Sequence, residues 1–487
     1  MKLTIGTQKK HEISRYIFMQ FMEPLGNTDS SVDAAWDYVR DCWRADFLSK
    51  TKELSPTMMR FGGCFASYYH WKEGVGPAEK RPPMLNLAWD GIYSNRVGTD
   101  EFLSLCKEIG NEPLLVVNME SDGRMRWAYP KAGQNRLGSA KEAAEWVAYC
   151  NDPDDILRIS HGRKDRYGVK YWQIGNETSY DRAGYKIDDT VRATREFAAA
   201  MRSVDNSIDI TAWGDDGPQK LDSKWAVRMC EELGDSIDHI AFHFHFHSDL
   251  PDSPLYGTEY RKSPEKTWEH LMSACNMLKR GIDCKREAVK PYGKRLAMTE
   301  GHFMLPGRNR CELLSSWAAG VAYARCMNVI ERSTDLLDIA TLADFCGNRW
   351  QVNALMLPTP AANAEKAYLQ PVGKVMMLFG KHIGRYALEV PESLDGADIT
   401  ASISEDGGCI YIHAVNPSAS SPCRLEFEAA GRKISSMTAY EIAADPVEEI
   451  TGLTPTLFDP IEQPCENGCY TLPAAGVAAI EIRLAKE

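Results

Sequence analysis

Two glutamates stand where apolar runs give out. Tyr171-Trp-Gln-Ile-Gly-Asn-Glu177 ends one run and Leu296-Ala-Met-Thr-Glu300-Gly ends another. A pair of carboxyl groups facing each other across a cleft can cleave a glycosidic bond: one protonates the departing oxygen, the other attacks the anomeric carbon. A single glutamate is usually a solvated surface charge. Two of them, each directly behind an apolar strand, fit strands that converge on one mouth. A second cluster, His243-x-His245-x-His247, repeats with period two. On a strand these three imidazoles would share one face, which could build the metal site of a metal-dependent barrel hydrolase. No matching set of His or Asp ligands stands at the other strand ends. Histidines lining a sugar pocket explain the run more simply, so neither metal nor cofactor is expected.

The elements that must hold these residues recur along the first three-quarters of the chain. Eight apolar or β-branched runs, at Arg15–Glu23, Thr57–Gly63, Pro113–Met119, Val169–Glu177, Asp209–Gly214, Ile237–His245, Arg295–Gly301 and Ile339–Phe345, alternate with segments of helical period. The helical segments are Thr99–Gly110, Ser139–Asn151, Asp188–Val204, Asp222–Gly234, Pro264–Arg280, Arg310–Glu331 and a last one near Glu365–Gly380. Strand–helix alternation of this kind builds a closed (β/α)8 TIM barrel, whose reacting groups sit at the C-terminal strand ends. An open doubly wound sheet is the alternative, but no glycine-rich nucleotide loop follows any run. Beyond the last helix come short strand-like runs separated by Gly, Pro, Asn and Ser, from Asp398–Ser404 to Val477–Leu484. They read as a C-terminal β-sandwich. The expected division is a barrel over 12–382 and a sandwich over 383–487, joined by an N-terminal strand from 1–11.

Composition agrees with this and excludes other classes. At 487 residues, with 44% hydrophobic and 25% charged, the chain is neither disordered nor fibrous nor a small disulfide scaffold. Its 56 basic against 68 acidic residues give a net charge of −12, which argues against nucleic acid as a partner. No apolar run is long enough to span a membrane. The 14 cysteines are scattered without a C-x-x-C, which points to buried thiols in a reducing compartment. Nothing at the start reads as a signal core, so the cytoplasm is expected. The 12 Trp and 20 Tyr include more flat faces than a core needs, and sugar rings stack on such faces.

Met59-Arg60-Phe-Gly-Gly-Cys-Phe-Ala-Ser-Tyr-Tyr-His-Trp71 is followed by Glu73-Gly-Val-Gly-Pro77, Glu79-Lys-Arg-Pro82, Leu87-Ala-Trp89, Gly98-Thr-Asp-Glu-Phe102 and Glu112-Pro-Leu-Leu-Val-Val-Asn118. That succession, with Asn176-Glu177 after the fourth run and Glu300 ending the seventh, resembles glycoside hydrolase family 51, the α-L-arabinofuranosidases of the retaining (β/α)8 clan. Phe21-Met-Glu23-Pro-Leu-Gly26 and Gln351-Val-Asn353 add to it. The resemblance implies a retaining hydrolase acting on terminal sugars of plant-type or related polysaccharides and oligosaccharides, assembled as a homo-oligomer. It implies that Glu177 is the acid/base and Glu300 the nucleophile, with Arg60 beside Glu300, where a fixed positive charge favours a carboxylate. Asn176 and Glu23 would hold sugar hydroxyls and Trp89 would wall the pocket. His243, His302, Trp350 and Gln351 complete the expected substrate-binding set.

The chain departs from the family pattern at three points. Cys64 stands where many members have a sugar-binding Asn, and a thiol is a poor donor. His245 lies near the position of a Tyr that touches the nucleophile. Gly301-His302 replaces the usual Trp-Asn. These residues line the subsite that selects the sugar, so the same mechanism on a different furanose or pyranose is the alternative expectation. A non-enzymatic carbohydrate-binding protein would keep the aromatics and lose one carboxylate, but both glutamates are present.

Overall fold

In the computed structural model, which describes residues 2–26, 31–86, 88–89, 91–123, 136–180, 185–216, 224–305, 311–348, 352–358, 366–465 and 468–485, eight strands form one parallel sheet in chain order. They are Gln20–Met22, Met58–Phe61, Glu112–Val117, Tyr171–Ile174, Asp209–Trp213, His239–Phe246, Arg295–Phe303 and Leu337–Ala340, called strands one to eight below. The Met19 N–H donates to Ala340 O at 3.0 Å, joining the last strand to the segment that opens the first. The curled sheet is a TIM barrel.

Alternation along each strand decides what fills the interior. Met58, Leu114, Tyr171, Ala297 and Ile339 pack together as an apolar floor. Two residues further along strands two and four come Arg60 and Gln173, both fully buried, so the interior turns polar on approaching the C-terminal mouth. A larger apolar core joins strands to the surrounding helices. Those helices begin and end on local signals. Ser139 accepts from the Glu142 N–H at 3.1 Å and starts Ala140–Asn151. Gly110, at φ +82°, ends Thr99–Ile109 with a left-handed residue that costs glycine little.

Four local expectations fail. Arg15–Phe18 is a 3-10 turn capped by Ser14, not strand, and strand one begins only at Gln20. The eighth strand is Leu337–Ala340; Asp344 and Phe345, placed in the same run by the sequence, belong to Asp344–Gly347 in a separate three-stranded sheet. The expected helix from Pro264 breaks at Ser273 into Pro264–Met272 and Ala274–Val289. The helix expected from Arg310 begins at Trp317, after a 3-10 turn over Glu312–Ser315.

The C-terminal strands form a β-sandwich. A seven-stranded antiparallel sheet faces a three-stranded one, and Ile399, Ile410, Ile412 and Ile480 meet Leu425, Phe427 and Leu472 in one core. Lys2–Ile5 pairs in parallel with Cys423–Ala429. Barrel and sandwich share polar joints. The helix Trp317–Arg332 donates its Trp317 and Ala318 N–H groups to Glu448 O and Pro446 O, both at 2.9 Å, satisfying N–H groups that a helix start leaves unpaired. At its other end Arg332 reaches Asp398 Oδ1 at 2.8 Å. Among the described residues, no helix is long and apolar enough to cross a membrane.

Candidate active site

Arg60 ties the mouth together. Fully buried at the end of strand two, it donates Nε–H to Gln173 Oε1 at 3.0 Å, Nη1–H to Glu300 Oε1 at 2.8 Å and Nη2–H to Asn176 Oδ1 at 2.6 Å. A planar guanidinium with a fixed fork of donors can bind three elements at once where a lysine could not. It therefore sets the positions of strand four, the turn after it and strand seven relative to one another.

Glu177 stands on that turn. Strand four ends at Ile174, Gly175 adopts φ +73°, and Glu177 itself sits at φ +53°. The left-handed conformation costs a non-glycine residue about 1–3 kcal/mol and is held only where the surroundings dictate it. Here the neighbouring Asn176 is fixed by Arg60, and the Tyr180 N–H closes the turn onto Glu177 O at 3.1 Å. Glu177 is buried, and its carboxyl contacts His243 Nδ1 through Oε1 at 3.0 Å and the Cys64 thiol through Oε2 at 3.8 Å.

Glu300 reaches the same point through a β-bulge. Phe242 pairs with Met298, but His243 pairs with Glu300, so Thr299 is an extra residue on strand seven. Without it Phe244 would stand opposite Glu300. The bulge sets His243 there instead, and Thr299 Oγ1 meets His243 Nε2 at 3.0 Å. His243 Nδ1 is 3.7 Å from Glu300 Oε2. One oxygen each of Glu177 and Glu300 lies within 4.8 Å of the other. Trp213, at the end of strand five, packs edge-on against the His243 ring with centroids 4.6 Å apart.

Glu23 follows strand one and lies under the loop after strand two. Its Oε1 accepts from Trp89 Nε1–H and from the Phe65 N–H, both at 2.9 Å. Gly63 makes room for it: a Cβ there, at φ +135°, would come within 2.5 Å of Glu23 Oε2, while one on the neighbouring Gly62 would come within 2.2 Å of Val116 Cγ2. Burial, reinforced by the negative charge of Glu300, pushes the Glu23 carboxyl up to about 8 against the opposing pull of Trp89, Phe65 and Arg60. Burial therefore favours the protonated form, which can donate as well as accept.

Two of the departures from the family pattern, His245 and His302, adjoin this cluster. His245 is buried and stands with its ring centroid 4.5 Å from that of His302. His302 Nδ1 lies 3.1 Å from Asp344 Oδ1. His243 and His245 join the two glutamates within the 4.8 Å cluster, whereas His247, expected on the same face, lies past the end of strand six at Phe246 and outside that group. Trp350 and Gln351 fall outside the described residues. Sequence reasoning missed Gln173, Thr299, Trp213 and Asp344. A lone glutamine inside the apolar run Tyr171–Ile174 was the available signal for the first; the others carry no signal without strand pairing.

The family profile for the Alpha-L-arabinofuranosidase 1 domain matches residues 50–261, a stretch that holds Arg60, Asn176, Glu177 and His243 and stops before Glu300. An intracellular exo-alpha-(1->5)-L-arabinofuranosidase of Acetivibrio thermocellus is 31% identical over 252 residues, 48% of this chain and 46% of the relative. Its counterpart 1 from Bacillus subtilis is 33% identical over 258 residues, 50% of this chain and 48% of the relative. The chain thus spans about half the length of the curated relatives it matches. Among solved structures, the α-L-arabinofuranosidase of Thermotoga maritima, in an arabinose complex, superposes with TM-score 0.80 at 24% identity, covering 99% of this chain and 100% of that one. The GH51 enzyme of Thermotoga petrophila RKU-1 gives 0.76 at 25% identity over the same shares. From the matched segment through the full-length fold to the assembled mouth of the barrel, the chain is similar to the α-L-arabinofuranosidases of glycoside hydrolase family 51.

Proposed function

We propose that the protein cleaves terminal α-L-arabinofuranosides with net retention, Glu177 serving as acid/base and Glu300 as nucleophile. The observation that carries this reading is the separation of the two carboxyl groups. Oxygens within 4.8 Å suit direct attack on the sugar, since enzymes that admit a water between substrate and base hold their carboxyls about 6.5–9.5 Å apart. Arg60 occupies Glu300 Oε1 and leaves Oε2 to bond the anomeric carbon. In the first step that bond forms, the bond to the leaving oxygen breaks, and the proton of Glu177 passes to the departing alcohol. In the second, Glu177 takes a proton from water, the water oxygen bonds the anomeric carbon, and the Glu300 ester is released.

The surrounding residues position these two. His243 holds Glu177 Oε1 and so directs the other oxygen into the cleft. Asn176, with Oδ1 turned to Arg60, offers its amide to the hydroxyl beside the anomeric carbon. Glu23 and Trp89 bind the far side of the ring. Cys64, His245 and His302 replace family contacts in the sugar subsite and shift its selectivity. We read 12–382 as the catalytic unit and 383–487 with 1–11 as its companion, in a homo-oligomer. The word intracellular in the names of two relatives supports a cytoplasmic location. Aryl furanosides and pyranosides, with proton NMR of the first-formed sugar, test the reading. Arabinofuranoside cleavage giving the retained anomer is expected; an inverted first product, or hydrolysis of pyranosides alone, overturns it.

A further inference from the structure

Glu177, His243, His245 and Glu300 each present one oxygen or nitrogen, and these four atoms all lie within 4.8 Å of one another. All four residues are buried. Two imidazoles and two carboxylates form a donor set that suits Zn2+. His243 is oriented as a ligand would be: Nε2 is engaged by Thr299 Oγ1 at 3.0 Å, so Nδ1 is the nitrogen that faces the carboxylates. An outer hydrogen bond of this kind fixes the ring of a metal-binding histidine. At zinc bond lengths of about 2.0–2.2 Å, neighbouring ligand atoms of a tetrahedral site lie roughly 3.3–3.6 Å apart. The separations from His243 Nδ1, 3.0 Å to Glu177 Oε1 and 3.7 Å to Glu300 Oε2, bracket that spacing. Arg60 contacts only the other oxygen of Glu300, so it need not leave.

We propose that this cluster binds one Zn2+ in the place of the sugar and thereby switches the enzyme off reversibly. The ion takes Oε2 of the nucleophile and an oxygen of the acid/base, so ion and glycoside exclude each other. His245 is the residue that makes the difference: it adds the second imidazole to an otherwise carboxylate-rich pair. Metal binding stands on geometry alone; only its effect on turnover rests on the glycosidase reading.

The test uses the full chain, stripped of metal with a chelator and dialysed. Zinc binding is read by competition with a chromogenic zinc indicator, and turnover of an aryl arabinofuranoside is read separately. The proposal expects one Zn2+ per chain, inhibition competitive with substrate and reversed by chelator, and more than tenfold weaker zinc binding in His245→Ala and in Glu300→Gln. His247→Ala, outside the cluster, should bind zinc as the wild type does. Circular dichroism of each variant and the visible bands of Co2+ bound to the unmodified chain keep the result independent of a misfolded variant. Absence of zinc binding, or binding unchanged in both cluster variants, overturns the proposal. So does inhibition that added substrate does not relieve. A chain that binds zinc in this pattern yet cleaves no glycoside would refute the proposed function and leave the metal site standing.

Discussion

Replacing Glu23 by Gln should flatten a fall in stability that the wild type shows above pH 5. Gln keeps an oxygen to accept from Trp89 Nε1–H and the Phe65 N–H, the two contacts of Glu23 Oε1, but it cannot ionise. In the folded chain Glu23 holds its proton up to about 8, against 4.5 for an ordinary glutamate. Between these values the unfolded chain has lost the proton and the folded chain has kept it, so folding becomes less favourable as pH rises. The stabilisation is fully present below about pH 4.5 and is lost as pH rises through about 8. Three and a half pH units at about 1.4 kcal/mol each amount to something on the order of 5 kcal/mol. Between pH 5 and pH 8.5, roughly 4 kcal/mol of this should be lost. Urea unfolding of both proteins at pH 5, 7 and 8.5 measures it, because subtracting the variant cancels every other titrating group. The difference between wild type and Glu23→Gln should move against the wild type by several kcal/mol across that range. Parallel profiles, differing by less than about 1 kcal/mol throughout, would refute the claim that Glu23 is buried as a neutral acid beside Glu300.

Three further outcomes follow from the site. Arg60→Met leaves the Glu300 carboxylate without its buried partner and should cost about 3 kcal/mol in urea unfolding, the low end for such a loss because Glu300 keeps some solvent contact; turnover should fall at least about 100-fold with it. Glu177→Ala should slow substrates with poor leaving groups by roughly 100- to 10,000-fold while sparing the cleavage step of a nitrophenyl glycoside, so a glycosyl-enzyme should accumulate and be seen as a mass increase on the intact chain. Cys64→Asn with His245→Tyr should raise kcat/KM for arabinofuranosides relative to other aryl glycosides; loss of arabinofuranoside turnover without a change in ranking would show that these residues do not set the selectivity.

Glu177 and Glu300 were legible because a charged residue closing an apolar run has few places to go other than a barrel mouth. Glu23 closes the run Arg15–Glu23 in the same way, but its role, like those of Arg60 and Trp89, was legible only through resemblance. The bulge at Thr299 could not be read, because a bulge exists only relative to the strand it pairs with, and that pairing brings His243 rather than Phe244 opposite Glu300. The left-handed φ of Glu177 was hidden for a similar reason: it is imposed by the Asn176–Arg60 contact across the barrel, not by a local preference of Glu. The misread run at Arg15 shows the converse. An apolar stretch looks like strand by periodicity, while the hydroxyl of Ser14, accepting from the Tyr16 N–H at 3.2 Å, winds its start into a turn. Likewise the run that joined Ile339 to Phe345 crossed from one sheet into another, a change of partner that periodicity does not record.

The assignment of the two glutamates is tested most directly by azide rescue of two variants on one activated arabinofuranoside. In Glu177→Ala the nucleophile is intact, so azide attacks the glycosyl-enzyme without needing a base and yields a glycosyl azide of retained configuration. In Glu300→Ala the space beside the anomeric carbon is vacated, and azide entering it displaces the leaving group once, giving the inverted product. NMR of the two azides reads the outcome. Opposite configurations are predicted. The same configuration from both variants, or undiminished activity in either, would contradict the assignment of Glu177 as acid/base and Glu300 as nucleophile.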